Sequence, residues 1–237
     1  MIEVKNIFKQ INTETENIKI LDNISFSIKS NEISLIYGHS GLGKTTLLSI
    51  IGTLMKPTAG KVIFDDKEID FTSDLSKLRR EKIGFVFQEN YLLPEYNMME
   101  NLIIPQLING KKYNEAKLKA EEMLALVNLE NLSKRYFNQI SGGEKQRISL
   151  IRSLVNNPSI IIADEPTGNL DENNCKQLLD LIVKLNKELG KSFLIKVVNF
   201  CTIGLSHSKA AVPVVLNGFE YGKSRRVFAS SSVKTFL

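Results

Sequence analysis

No run in the 237 residues approaches the roughly 18 to 20 uninterrupted apolar residues that cross a bilayer; the most apolar stretch, Phe193 to Leu205, is broken by Lys196 and Asn199. A membrane-spanning helix is therefore not expected. A signal peptide is not expected either, because Met1-Ile2-Glu3-Val4-Lys5 leads straight into alternating polar and apolar residues. Cysteine is scarce. Cys175 and Cys201 form neither a metal-ligand spacing nor a disulfide framework, which points to packing residues in a reducing cytoplasm. Histidine is limited to His39 and His207. Internal repeats and low-complexity linkers are missing, and the length suits one α/β domain, with or without an inserted subdomain.

The formal net charge of +5 is not spread over the chain. From Lys191 onward seven Lys or Arg face a single acid, Glu220, while the preceding 190 residues are close to neutral. Only Lys223, Arg225 and Arg226 cluster, which is too little for the one-faced basic footprint of a nucleic-acid binder. No nucleic-acid partner is expected.

What the sequence does contain begins with Gly38-His39-Ser40-Gly41-Leu42-Gly43-Lys44-Thr45-Thr46, a complete G-x-x-x-x-G-K-[ST] loop following the apolar run Ile33 to Tyr37. Glycines let backbone N–H groups fold around phosphates, Lys44 brings a mobile cation to the β- and γ-phosphates, and Thr45 offers a hydroxyl to Mg²⁺. A nucleoside triphosphate is the expected ligand. Ile160 to Asp164 then reads as a buried strand ending in two carboxylates. Asp164 is placed to orient Mg²⁺, and Glu165 to polarise the attacking water.

Ser141-Gly142-Gly143-Glu144-Lys145-Gln146-Arg147 reads in two ways. Ser141 and Glu144 make an S-x-x-E capping box, with Ile148, Ile151, Leu154 and Val155 continuing a helix. The paired glycines, poor helix formers, suit a helix start whose N–H groups approach an anion. Elsewhere, strands are expected at Val4 to Phe8, Ile18 to Ile28 and Lys61 to Phe64, and helices at Glu115 to Val127 and Asn174 to Leu189.

The phosphate loop, Gln88, the Ser-Gly-Gly signature, the Asp164-Glu165 strand and Asn169-Leu170-Asp171 occur in an order that resembles the nucleotide-binding subunits of ABC transporters over about residues 1 to 195. The resemblance implies an α/β P-loop NTPase with a RecA-like, mostly parallel core sheet, an antiparallel β portion and an inserted helical subdomain at about 89–158. It implies ATP and Mg²⁺ as ligands, with Gly38 to Thr46 and Ser141 to Glu144 binding nucleotide. Thr45, Gln88 and Asp164 would serve the metal, and Glu165 with Gln88 would be catalytic. It also implies two copies enclosing ATP in a sandwich dimer, docked on integral membrane subunits at the cytoplasmic face of the inner membrane.

Tyr91-Leu92-Leu93-Pro94, Glu100-Asn101 and Asp164 to Asp171 resemble, within that family, the ATPases of lipoprotein-releasing systems. MacB-type exporters and FtsE-like cell-division ATPases share much of this wording. Two departures stand out. Ile11 aligns with the adenine-stacking aromatic, with Phe8 as a possible substitute. After Ile195 the family's Val-Thr-His-Asp is replaced by Lys196-Val197-Val198-Asn199-Phe200, so the histidine that contacts the γ-phosphate is absent there. The tail from about 196 to 237 departs from the family pattern, as a shifted frame or replaced terminus would. His207 comes several residues too late. A hydrolysis-impaired remnant and a soluble, non-transport ABC ATPase therefore stay open as alternatives.

Overall fold

The computed structural model describes residues 1–14, 16–197 and, as backbone, 211–215; His207, Cys201 and most of the basic tail lie outside these residues. The described chain divides into two compact units, Met1–Leu75 with the segment from Ser192 onward, and Ser76–Lys191.

In the first unit, β1 (Ile2–Asn12) and β2 (Asn17–Ile28) form an antiparallel hairpin with Ile2 opposite Ile28 and Asn12 opposite Asn17. Alternation does the work in β2. Ile24, Phe26 and Ile28 are buried while the residues between them are exposed, as a sheet with one wet face requires. After β3 (Ile33–Tyr37) and α1 (Lys44–Ile51), β4 (Ala59–Phe64) joins β1 antiparallel and β5 (Lys67–Glu68) joins β4, giving the order β2-β1-β4-β5.

The other sheet element of this unit is parallel. β3 lies between β8 (Ser192–Lys196) and β9 (Ala211–Val215), with Ile33 opposite Phe193 and Ala211. Ile33, Leu35 and Ile36 are essentially inaccessible. Ser34 between them is buried as well, so consecutive residues are covered, as on a parallel strand enclosed on both faces. α1 buries Leu47, Leu48, Ile50 and Ile51.

The second unit holds α2 (Ser76–Lys82), β6 (Ile83–Val86), α3 (Met98–Ile108), α4 (Tyr113–Leu126), α5 (Gly142–Leu154), β7 (Ile160–Asp164) and α6 (Glu172–Leu189). β6 and β7 pair in parallel, Ile83 opposite Ile160 and Val86 opposite Ala163. Gly84 sits where a Cβ would come within 2.5 Å of the Ser153 carbonyl oxygen, so α5 rests directly on the β6 backbone. α6 stops at Gly190, whose φ of 60° is the left-handed conformation that ends helices.

α3 lies inside the helical subdomain expected at about 89–158, although no helix was expected at its own residues. Its capping box, in which Asn97 accepts from the Glu100 amide and Glu100 accepts from the Asn97 amide, starts a helix that continues through Pro105. Among the described residues no helix is long and apolar enough to cross a membrane.

Candidate nucleotide-binding site

The phosphate loop connects the C-terminal end of β3 to α1. Gly43 is the residue just before α1 and has a φ of 76°. A Cβ there would press on Ile20 and Leu21 side-chain atoms at 2.8 and 2.9 Å, so both conformation and space demand glycine. No side chain caps α1 and no acid lies in its first turn. Its leading N–H groups therefore keep their capacity for an anion.

Lys44 is only 4% exposed. Its Nζ donates to the carbonyl oxygens of Gly38 and His39 at 2.5 and 2.7 Å, which curls the loop about its own lysine. His39 thus contributes its carbonyl to the loop. Ser40, Gly41, Leu42 and Thr46 lie within the same segment, and a Cβ on Gly41 would meet open space.

Thr45 carries an unexpected partner. Its Oγ1 accepts from the Lys196 Nζ at 2.7 Å. β8 runs beside β3 with Lys196 opposite Ile36, and the next amide, Val197 N–H, donates to the Ile36 carbonyl at 3.0 Å. The register thereby delivers Lys196 to the mouth of the loop.

The remaining candidate residues lie in the second unit. Ser141 accepts from the Glu144 amide, while the Glu144 carboxylate accepts from the Ser141 amide and hydroxyl, both at 2.7 Å. These two bonds hold the Glu144 carboxyl below its ordinary range. Gly142 faces open space, but a Cβ on Gly143 would collide with the Asn174 side chain. Asn174 is fixed there by Asp171, which accepts from the Asn174 amide at 2.9 Å and from its Nδ2 at 2.6 Å while capping α6. The two glycines therefore differ: Gly142 leaves the approach open, and Gly143 makes room for the Asp171–Asn174 pair.

Asp164 ends β7, and Glu165 follows with a φ of 49°. For a glutamate this left-handed conformation is uncommon and fixes the direction in which the chain leaves β7. The Gly168 amide donates to the Glu165 carbonyl at 3.0 Å and closes this turn. Gln88 Nε2 reaches Asn169 Oδ1 at 3.4 Å, and the Asn169 amide nitrogen reaches Glu89 at 3.5 Å. Gln88 and the loop after Glu165 are thus brought together.

Sequence reasoning did not find what holds Gln88 in place. One face of α5 presents three donors: Gln146 to the Phe87 carbonyl at 3.1 Å, Ser149 to Asn90 at 3.1 Å, and Arg152 to Asn90 and Tyr91 at 2.9 and 2.7 Å. Their i, i+3, i+6 spacing was the available signal. Burial pulls the Arg152 guanidinium below its ordinary value. Asn101, quoted above as part of a motif, is buried and bonds the backbone of Leu93, Tyr96 and Asn97.

Of the adenine-stacking candidates, Ile11 is exposed, and the Phe8 ring has the Lys19 ammonium 5.8 Å from its centroid. Burial raises the Cys175 thiol, in keeping with a packing role.

A glycine-rich loop between a buried parallel strand and an uncapped helix, a Ser-Gly-Gly helix start and an acid-terminated strand define an ATP-binding cassette of the P-loop NTPase class, built from antiparallel and parallel sheets. The ABC transporter family profile matches residues 21–168, and the chain belongs to that family as an ATP-binding ATPase subunit. It is 44% identical over 197 residues to the lipoprotein-releasing system ATP-binding protein LolD of Buchnera aphidicola subsp. Schizaphis graminum, covering 82% of this chain and 86% of that protein. The LolD of Aquifex aeolicus is also 44% identical, over 189 residues, covering 79% and 83%.

Among solved structures, the dimeric cassette MJ0796 in a post-hydrolysis state with ADP and Pi superposes with a TM-score of 0.77 at 38% identity, covering 85% of this chain and 90% of that one. The cbiO1 protein of Clostridium perfringens, part of the cbiONQ transporter complex, gives 0.79 at 27% identity, covering 90% and 83%.

Proposed function

We propose that this chain hydrolyses ATP to drive release of lipoproteins from the inner membrane, as a peripheral subunit on its cytoplasmic face. The observation that carries this reading is the 44% identity to LolD proteins over about four fifths of the chain. That identity, spread over most of both chains, supports the lipoprotein-releasing reading. Two copies would face each other, the loop Gly38 to Thr46 of one and Ser141 to Glu144 of the other enclosing a nucleotide. The dimeric form of MJ0796 supports this arrangement.

In the proposed mechanism the α1 N-terminus and the loop amides bind the phosphates, and Lys44 exchanges its two loop carbonyls for the β- and γ-phosphates. Glu165, held by its left-handed turn, accepts a proton from the attacking water. Gln88 orients that water and, through the backbone clamped by α5, reports on the membrane partner. Mg²⁺, when bound to ATP, neutralises charge on the phosphates. Thr45, Gln88 and Asp164 are the residues proposed for it, yet the cation actually seated on Thr45 is the Lys196 ammonium. With that ammonium already on its hydroxyl, Thr45 is a poor place for a second cation.

That contact also favours a second reading, in which nucleotide binds but turns over slowly. The replacement of Val-Thr-His-Asp by Lys196 to Asn199 points the same way.

Co-expression tests the first reading. The protein should sediment with inner membranes only when the membrane subunits of a lipoprotein-releasing system are present. Recovery on ribosomes, or equal sedimentation without those subunits, would contradict it.

A further inference from the structure

We infer that Lys196 is a nucleotide-binding residue that supplies, from within the chain, the cation at Thr45, so that the site accepts a metal-free nucleoside triphosphate in place of its Mg²⁺ complex. The inference rests on the nucleotide-binding reading of the loop from Gly38 to Thr46 and goes beyond it.

Two observations converge. The Lys196 Nζ lies 2.7 Å from Thr45 Oγ1, the oxygen that the loop motif assigns to a metal. The contact is not that of a side chain on a loose segment, because Lys196 is the last residue of β8, paired with Ile36, and the following amide is bonded to the Ile36 carbonyl.

The chemistry then sets up a competition. A hydroxyl oxygen can accept from an ammonium and still hold a lone pair for a metal. But Mg²⁺ takes oxygen at about 2.1 Å, so the two cations on one oxygen would lie within about 5 Å of each other, inside a Debye length of about 8 Å. Like charges at that separation disfavour joint occupancy even at this solvent-exposed contact.

Anionic phosphates gain from either cation. With Lys44 at the Gly38 and His39 carbonyls and Lys196 at Thr45, two ammonium groups flank the segment that wraps the phosphates. A polyphosphate entering there meets positive charge on both sides before any metal arrives.

The test uses the full chain, a fluorescent N-methylanthraniloyl ATP, and Mn²⁺ as a spin probe. The parent should bind the nucleotide at least as tightly in EDTA as in excess Mg²⁺. Lys196→Met and, as a second neutral variant, Lys196→Gln should bind about tenfold more weakly in EDTA and recover in Mg²⁺, since one charge-assisted contact is lost and a metal can replace it. With nucleotide bound, electron paramagnetic resonance should show Mn²⁺ held about tenfold more tightly by these variants than by the parent. Lys196→Arg should behave as the parent.

Parental binding that already collapses in EDTA, or Mn²⁺ affinity unchanged in variants that still bind nucleotide, would overturn the role of Lys196 and leave the nucleotide site standing. Absence of nucleotide binding by the parent in both buffers would overturn the nucleotide reading itself, and this inference with it.

Discussion

Lys44 and Glu165 do different jobs, and single substitutions should separate them. Lys44→Ala removes the buried cation that the loop is curled around; nucleotide affinity, measured by equilibrium dialysis, should fall by about tenfold or more because a charge-assisted phosphate contact is lost. Near-parental affinity would remove Lys44 from the site. Glu165→Gln keeps the shape of the side chain but not its basicity, so binding should persist while turnover drops by about a hundredfold or more. An ATPase rate equal to the parent would exclude Glu165 as the base. Gly143→Ala makes a third residue-scale test. Its methyl would collide with the Asn174 side chain that Asp171 pins from two atoms, and overpacking of this kind costs about 1–3 kcal/mol; a thermal melt should show the loss. Gly142→Ala, facing open space, should melt close to the parent.

At the scale of elements, α5 both caps itself and carries the clamp on the loop after Gln88. The Glu144 carboxyl is held below its ordinary 4.5 by hydrogen bonds from the Ser141 amide and hydroxyl. A depressed folded-state pKa stabilises above the unfolded value and stops doing so as pH falls through the lowered one. Glu144→Gln should therefore melt below the parent at neutral pH, with the gap closing as pH drops below that range; a gap independent of pH would contradict the capping account. Arg152→Met leaves the Tyr91 carbonyl without its donor and the Asn90 carbonyl with Ser149 alone, a loss of about 2 kcal/mol, or roughly 4–8 °C in a chain of this size. Much of this architecture was legible beforehand. β1, β2, β4, β7, α4 and α6 follow directly from alternation, helical spacing and Gly190. α3 falls in the expected helical stretch, but its bounds are not legible because Pro105 argues against a helix interior and the Asn97–Glu100 box is the one local signal for its start. The clamp was hidden for another reason: the carbonyls it holds belong to Phe87, Asn90 and Tyr91, about 60 residues away in sequence, and no local pattern records a partner at that distance. The Lys196–Thr45 contact spans still more of the chain and depends on the parallel register of β8 and β3.

For the molecule as a whole, the proposed function makes this chain one of a pair of ATPase subunits docked on membrane partners. ATP should bring Glu165→Gln to the elution position of a dimer in size-exclusion chromatography, because enclosed nucleotide is not consumed, whereas ADP should leave it monomeric; elution unchanged by ATP would argue against the sandwich. The central claim, that ATP hydrolysis here drives lipoprotein release, is tested most directly in proteoliposomes holding the membrane subunits of a lipoprotein-releasing system and a lipid-anchored protein. With the parent chain bound, addition of ATP should release the anchored protein into the aqueous phase, and Glu165→Gln should bind the same liposomes yet release nothing above the ATP-free background. Release by the parent that stays at that background, with the chain bound and ATP being hydrolysed, would contradict the account.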